Sequence, residues 1–151
     1  MTKSQRLKPV ARLAEYKERD AARLLAEAQH AVERHEERLN ELLTYANEYR
    51  QRLRAAESAG MEAGQRHDYQ VFIAKLDEAI NQQRGRLAAA THELEHRRRQ
   101  WLATHGASTS LDKIVARYAD EETRSAARRE QGEADERAQQ LHTRKQGAGD
   151  L

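Results

Sequence analysis

The stretch YQVFIAKLDEAINQQRGRLAAATHELEHRRRQW, from Tyr69 to Trp101, decides the fold. Steps of four and three along it meet Tyr69, Ile73, Leu76, Ile80, Gln83, Leu87, Ala90, Leu94, Arg97 and Trp101. Ile73, Ile80, Leu87, Leu94 and Trp101 fill one heptad position without a gap. A 3.5-residue repeat keeps one stripe of a helix facing a partner along its length, so the row predicts a long helix packed on another helix. Some other part of the chain must cover that stripe.

Composition leaves room for a seam and little else. Apolar residues make up 38% of the 151 residues and charged residues 34%, with one proline and one phenylalanine. A chain rich in Ala, Glu, Arg and Leu with this period reads as a long helix or coiled coil, and a deep active-site cleft is not expected of it. The formal charge of +2 arises from interspersed acids and bases. The pI near 9.0 therefore reflects a slight arginine excess and does not by itself point to nucleic acid. Absence of cysteine excludes a disulfide framework, a thiol nucleophile and a cysteine-based zinc site. No apolar run approaches the ~20 residues of a membrane span. The segment Met1 to Pro9 lacks a signal-peptide core, which makes the cytoplasm the expected location.

Residues 1–8 are polar and expected to fray. Pro9 suits a first helical turn, so a first helix is expected over about 8–58. In that helix Leu25, Val32, Leu39, Ala46 and Leu53 recur every seven residues, followed three residues later by Ala28, His35, Leu42, Tyr49 and Ala56. About fifty residues of helix would be roughly 75 Å long, too long to stand without a partner. Gly60 and Gly64 interrupt the pattern, and the polar turn 59–66 should fold a second helix, about 67–140, back antiparallel to the first. Folded about that turn, the two rows match face to face: Leu53 with Ile73, Ala46 with Ile80, Leu39 with Leu87, Val32 with Leu94 and Leu25 with Trp101.

Thr104-His-Gly-Ala-Ser-Thr-Ser110 has poor helix propensity and is compatible with a second turn and a third short helix. The heptad phase nevertheless continues through Ser108, Leu111, Val115 and Tyr118, which favours one long helix with a weak spot. Past Tyr118 the chain is almost wholly polar, and its partners in the face-to-face pairing would lie before residue 8. The expected fold is thus all-α, one coiled-coil domain over 1–151: a two-helix antiparallel hairpin whose second helix overhangs, with disorder over 142–151.

His92-Glu93-Leu94-Glu95-His96 matches H-E-x-x-H, in which histidines four apart share a helix face and the glutamate between them activates a metal-bound water. The context opposes a zinc-dependent hydrolase. Arg99 and Leu102 stand where a metzincin extension would have glycine and a third histidine, and Leu94 on the seam turns both histidines outward. A solvated helix face is the simpler reading, with no metal, cofactor or catalytic residue expected. Arg97-Arg98-Arg99 could touch phosphate, but Glu93, Glu95 and His96 flank it and no aromatics interleave, unlike a single-strand binding platform.

Apolar residues are in surplus near the turn. Leu42, Tyr45 and Tyr49 form a stripe on the first helix; Phe72, Leu76 and Ala79, with Tyr69 nearby, form another on the second. A two-stranded seam needs fewer. The surplus either thickens the core locally or leaves an exposed aromatic patch of the kind that marks an interface.

Several segments in this order resemble the flagellar FliJ family of the bacterial type III export apparatus. They are Asp20-Ala-Ala-Arg-Leu-Leu25, Leu42-Leu-Thr-Tyr-Ala-Asn-Glu-Tyr-Arg50, Tyr69-Gln-Val-Phe-Ile-Ala-Lys-Leu76 with Glu78-Ala-Ile80, the lone Trp101, and Asp135-Glu-Arg-Ala138. The resemblance implies an antiparallel coiled coil similar to that of the rotary ATP synthase γ subunit. It also implies a protein peripheral at the cytoplasmic face of the inner membrane, serving flagellum biogenesis and motility. Its implied partners are a FliI-type export ATPase hexamer, an FlhA-type export gate and flagellar export chaperones. By position, the family's gate-binding patch maps onto Leu42, Tyr45, Tyr49, Phe72, Leu76 and Ala79, bordered by Arg38 and Gln83. The corresponding stalk of a virulence injectisome is the alternative within the same class.

Overall fold

α1 spans Lys3–Ser58 and α2 spans Ala63–Gly149. The computed structural model describes residues 1–149 of the 151. The two helices pack against each other antiparallel, as the heptad rows require, and no strand occurs among the described residues. Their contacts divide the chain into two compact units. One unit runs from Arg19 to Ala103 and holds the turn; the other combines Met1–Glu18 with the chain from Thr104 onward.

In the turn unit, α1 ends as its sequence predicts. Gly60 takes φ +85°, a conformation that glycine adopts without a Cβ penalty. Its N–H donates to the Glu57 carbonyl at 3.3 Å, the inner bond of a Schellman-type end. Only Ala59 to Glu62 separate the helices, and Gly64 already lies inside the first turn of α2. Arg66 and Glu57 clamp the turn with a 3.5 Å ion pair.

The seam below the turn contains the face-to-face pair Ala46 and Ile80 and adds the second row to it. Ala46, fully buried, forms one cluster with Leu76 and Ile80, against which Leu39, Leu42, Tyr49 and Phe72 pack. Tyr49 meets Tyr69 and Phe72, and His35 meets Gln83. Ala46 with Ile80 keeps the expected pairing, and Leu76, Tyr49, Tyr69 and Phe72 nest beside that layer. The reason is nesting: knobs of one row seat between residues of the opposing helix, so both rows of α2 enter the seam.

In the other unit, α1 starts five residues earlier than expected. Thr2 and Gln5 form a reciprocal capping box: the Gln5 N–H donates to Thr2 Oγ1 at 3.3 Å and the Thr2 N–H to Gln5 Oε1 at 3.2 Å. The signal, Thr2-Lys-Ser-Gln5, is present in the sequence. Pro9 consequently sits inside α1 and removes the N–H that would bond to the Gln5 carbonyl. Glu122 of α2 offsets part of that loss. Its carboxylate accepts from the Ser4 N–H at 3.0 Å and from the Ser4 hydroxyl at 2.6 Å, satisfying an otherwise orphan donor at the positive end of the helix dipole. Glu18 and His105 bridge the helices at 2.6 Å, and Lys3 Nζ lies 5.5 Å from the centre of the Tyr118 ring.

α2 passes through Gly106 as helix, and continues through Gly149 rather than ending near residue 140. The expected disorder at residues 150 and 151 lies outside the described residues. After Ser125 every described residue is exposed, so this end of α2 runs free of α1, as the overhang predicts.

Candidate partner-binding surface beside the turn

Four aromatic rings from both helices meet in the turn unit. Tyr49 is the hub: its ring lies 4.4 Å from Phe72, 5.0 Å from Tyr45 and 6.3 Å from Tyr69, centre to centre. Tyr45 and Phe72 meet edge to face at 6.1 Å and 79°, a favoured geometry for ring quadrupoles. The Arg52 guanidinium adds a cation–π contact 5.3 Å from the centre of the Tyr49 ring. The cluster exists because α1 places Tyr45 and Tyr49 one turn apart and α2 places Tyr69 and Phe72 on the facing turn.

Exposure separates the members. Tyr45 keeps 42% of its surface in water, whereas Leu76 keeps 8%. Tyr49, Phe72, Leu42 and Ala79 are half-buried. Arg38 is exposed and pairs with Glu41 at 3.2 Å. Gln83 is buried, its side-chain amide donating to the His35 carbonyl at 3.0 Å and lying 3.0 Å from the His35 ring nitrogen. Gln83 and Leu76 thus hold the hairpin, and Tyr45 is the ring that faces outward. The surplus of apolar residues serves both purposes, core and surface.

The outward-facing members gather. Arg38, Glu41, Leu42, Tyr45, Leu76 and Ala79 line one apolar groove between the helices, which brings together five of the eight residues expected in the patch. Tyr49 and Phe72 support its wall through Tyr45. Hydrogen bonding to Tyr49 and then partial desolvation hold the Tyr45 phenol above its usual pKa, so it stays a neutral donor at physiological pH.

Two features went unread in the sequence. His35 and Gln83 are both polar residues at seam positions, and their pairing was legible as such. The second is an acidic face on α1, lined by Glu33, Glu36, Glu37, Glu41 and Glu48 and sharing Tyr45 with the groove. Alternation of charge along the chain hides it, because helical wrapping gathers residues three and four apart.

The H-E-x-x-H segment lies exposed on α2. His92 and His96 face solvent, Glu93 is held by Arg97 at 2.7 Å, and Glu95 pairs with Arg98 and Arg99 at 3.4 Å each. Among the described residues no three His, Asp or Glu side chains are placed to hold a metal ion. No helix among them is long and apolar enough to cross a membrane.

The family model for the flagellar FliJ protein matches residues 2–147. The flagellar FliJ protein of Escherichia coli (strain K12) is 33% identical over 133 residues, which cover 88% of this chain and 90% of that one. The flagellar FliJ protein of Salmonella typhi is 37% identical over 89 residues, 59% of this chain and 60% of its own. The family match runs along both helices and through the turn, so what is shared is the whole hairpin, and the chain belongs to the flagellar FliJ family.

Proposed function

We propose that this chain is a non-enzymatic component of the flagellar type III export apparatus that couples the export ATPase to the export gate and cycles substrate chaperones. The groove beside the turn is the gate-binding surface: Tyr45, Leu42, Phe72 and Ala79 contact the gate, Arg38 borders the contact, and Tyr49, Leu76 and Gln83 hold it in shape. The free end of α2 and the start of α1 serve the ATPase ring. The observation that carries this reading is the exposed Tyr45 ring in an apolar groove, on a helical hairpin of the FliJ family. Aromatic side chains in such a setting are the usual anchors of protein interfaces. The solvent-exposed His92 and His96, with Glu93 tied to Arg97, support a structural role for the H-E-x-x-H segment over a catalytic one. Association with the membrane is then peripheral, through the apparatus. The kinship with flagellar proteins favours this reading over an injectisome stalk.

The test is binding of the purified cytoplasmic part of the gate to the intact chain. Tyr45→Ala, alone and with Phe72→Ala, should leave helicity unchanged and remove gate binding. Unchanged gate binding by both variants would overturn the assignment of this surface. If the double variant unfolds, the single variant, which removes the more exposed ring, decides.

A further inference from the structure

The groove and the acidic face of α1 are one continuous surface. They share Tyr45 and Glu41. On α1 acidic residues three and four apart run from Glu33 to Glu41, and Glu48 follows two turns later beyond Thr44 and Tyr45, a face about 22 Å long that runs beside the groove. Glu33 is partnered by His30 at 3.5 Å and Glu41 by Arg38 at 3.2 Å. Glu36, Glu37 and Glu48 make no ion pair among the described residues, although ion pairs are frequent elsewhere on both helices. Like charges collected on one helix face destabilise that helix, and three of these make no ion pair among the described residues.

We infer that the occupant of the groove is a basic amphipathic helix of the partner, its apolar side chains seated against Leu42, Tyr45 and Ala79 and its Lys or Arg residues lying along Glu36, Glu37 and Glu48. This rests on the gate-binding reading of the surface and adds the chemistry of what binds there. A helix is the form that fits, because α1 and α2 satisfy their own backbones and offer no strand edge, leaving a straight groove between helices. The acidic rim repels nucleic acid and anionic lipid, so it selects a cationic protein segment. Charge complementarity of this kind acts mainly on the rate of encounter and on the choice of partner.

The experiment measures association and dissociation of the purified cytoplasmic part of the gate on the intact chain at low and high salt. Two sets of variants are compared. Glu36→Gln, Glu37→Gln and Glu48→Gln combined, and the corresponding Lys triple, should slow association by roughly tenfold and more than tenfold at low salt, with the effect shrinking as salt rises. Glu133→Lys with Asp135→Lys, on the free end of α2, should change nothing. If both glutamate triples bind like the parent with the same salt dependence while Tyr45→Ala abolishes binding, the basic-helix inference is wrong and the gate surface stands. If Tyr45→Ala also binds normally, the surface itself is misassigned and the inference goes with it. If only the Lys triple binds poorly and the Gln triple is unchanged, repulsion was introduced rather than attraction removed, which also overturns it.

Discussion

The two units of this chain use the same pair of helices and fasten them by different means. Between Arg19 and Ala103 the seam is apolar, centred on Ala46, Leu76 and Ile80 and flanked by four rings. In the unit containing both chain ends an apolar groove of Val10, Leu13, Ala14, Ala107 and Leu111 stays open between the helices, and polar contacts fasten them beside it: Ser4 with Glu122, Glu18 with His105, and Lys3 over Tyr118. Its buried residues are small, Ala11, Ser4 and Ser108. An apolar seam gains from every methylene removed from water and is indifferent to direction. A polar one requires partners at set distances and yields to pH and salt. The difference teaches that heptad periodicity predicts that two helices will pair, but not how firmly.

Truncating a seam residue in each unit tests that contrast most severely. Ile80→Ala removes a side chain that is 96% covered and should cost about 3 kcal/mol, read as a fall in the chemical or thermal midpoint. Leu111→Ala, half-buried beside α1, should cost about 1 kcal/mol. Equal losses would break the comparison. A smaller effect of opposite sign is expected at Gly106, in the weak stretch of α2. A Cβ there meets nothing within 4 Å, so Gly106→Ala should stabilise the helix by up to about 1 kcal/mol; a loss instead would show that this stretch must yield.

The smallest and most local effect concerns pH. Hydrogen bonds from the Ser4 side chain, and then from its backbone, hold the Glu122 carboxyl below its usual pKa. A carboxyl depressed in the folded state contributes stability that is present above the ordinary carboxylate range and is lost as pH falls through the lower, folded value. Protection of the Ser4 amide, measured as exchange relative to its intrinsic rate, should therefore persist near neutrality and be lost only in acid, below the ordinary carboxylate range. Glu122→Gln should remove the acid step, and no comparable step is expected at the Ala46 cluster. The same acid response in both units would contradict the division between them.

Much of the candidate surface was legible because it follows from helix periodicity. The spacing of Leu42, Tyr45 and Tyr49, and of Phe72, Leu76 and Ala79, suffices to put each set on one face. Division of labour within the surface was not legible. Tyr45 and Leu76 are both apolar and both near the turn, yet one is exposed and the other covered, and that depends on how their side chains nest across the seam. The acidic face escaped notice for a related reason. Glu33, Glu37, Glu41 and Glu48 lie among arginines in the linear order, and only wrapping separates the signs. Missing the start of α1 was a different kind of error: Thr2 and Gln5 carried a capping box, and Pro9 drew the boundary past it.

By itself the sequence determined two long helices, the turn at Gly60, the antiparallel direction and the free end of α2, because 3.5-residue periodicity, a left-handed glycine and a polar tail are local properties. The tertiary structure alone decided how individual side chains nest across the seam, and with it the burial of Gln83 and Leu76, the exposure of Tyr45 and the contact of Glu122 with Ser4. A repeat fixes the angle of a stripe around its helix, but its identical steps leave several displacements nearly equivalent. Which displacement prevails depends on how particular side chains nest across the seam, and only the packed pair of helices settles that.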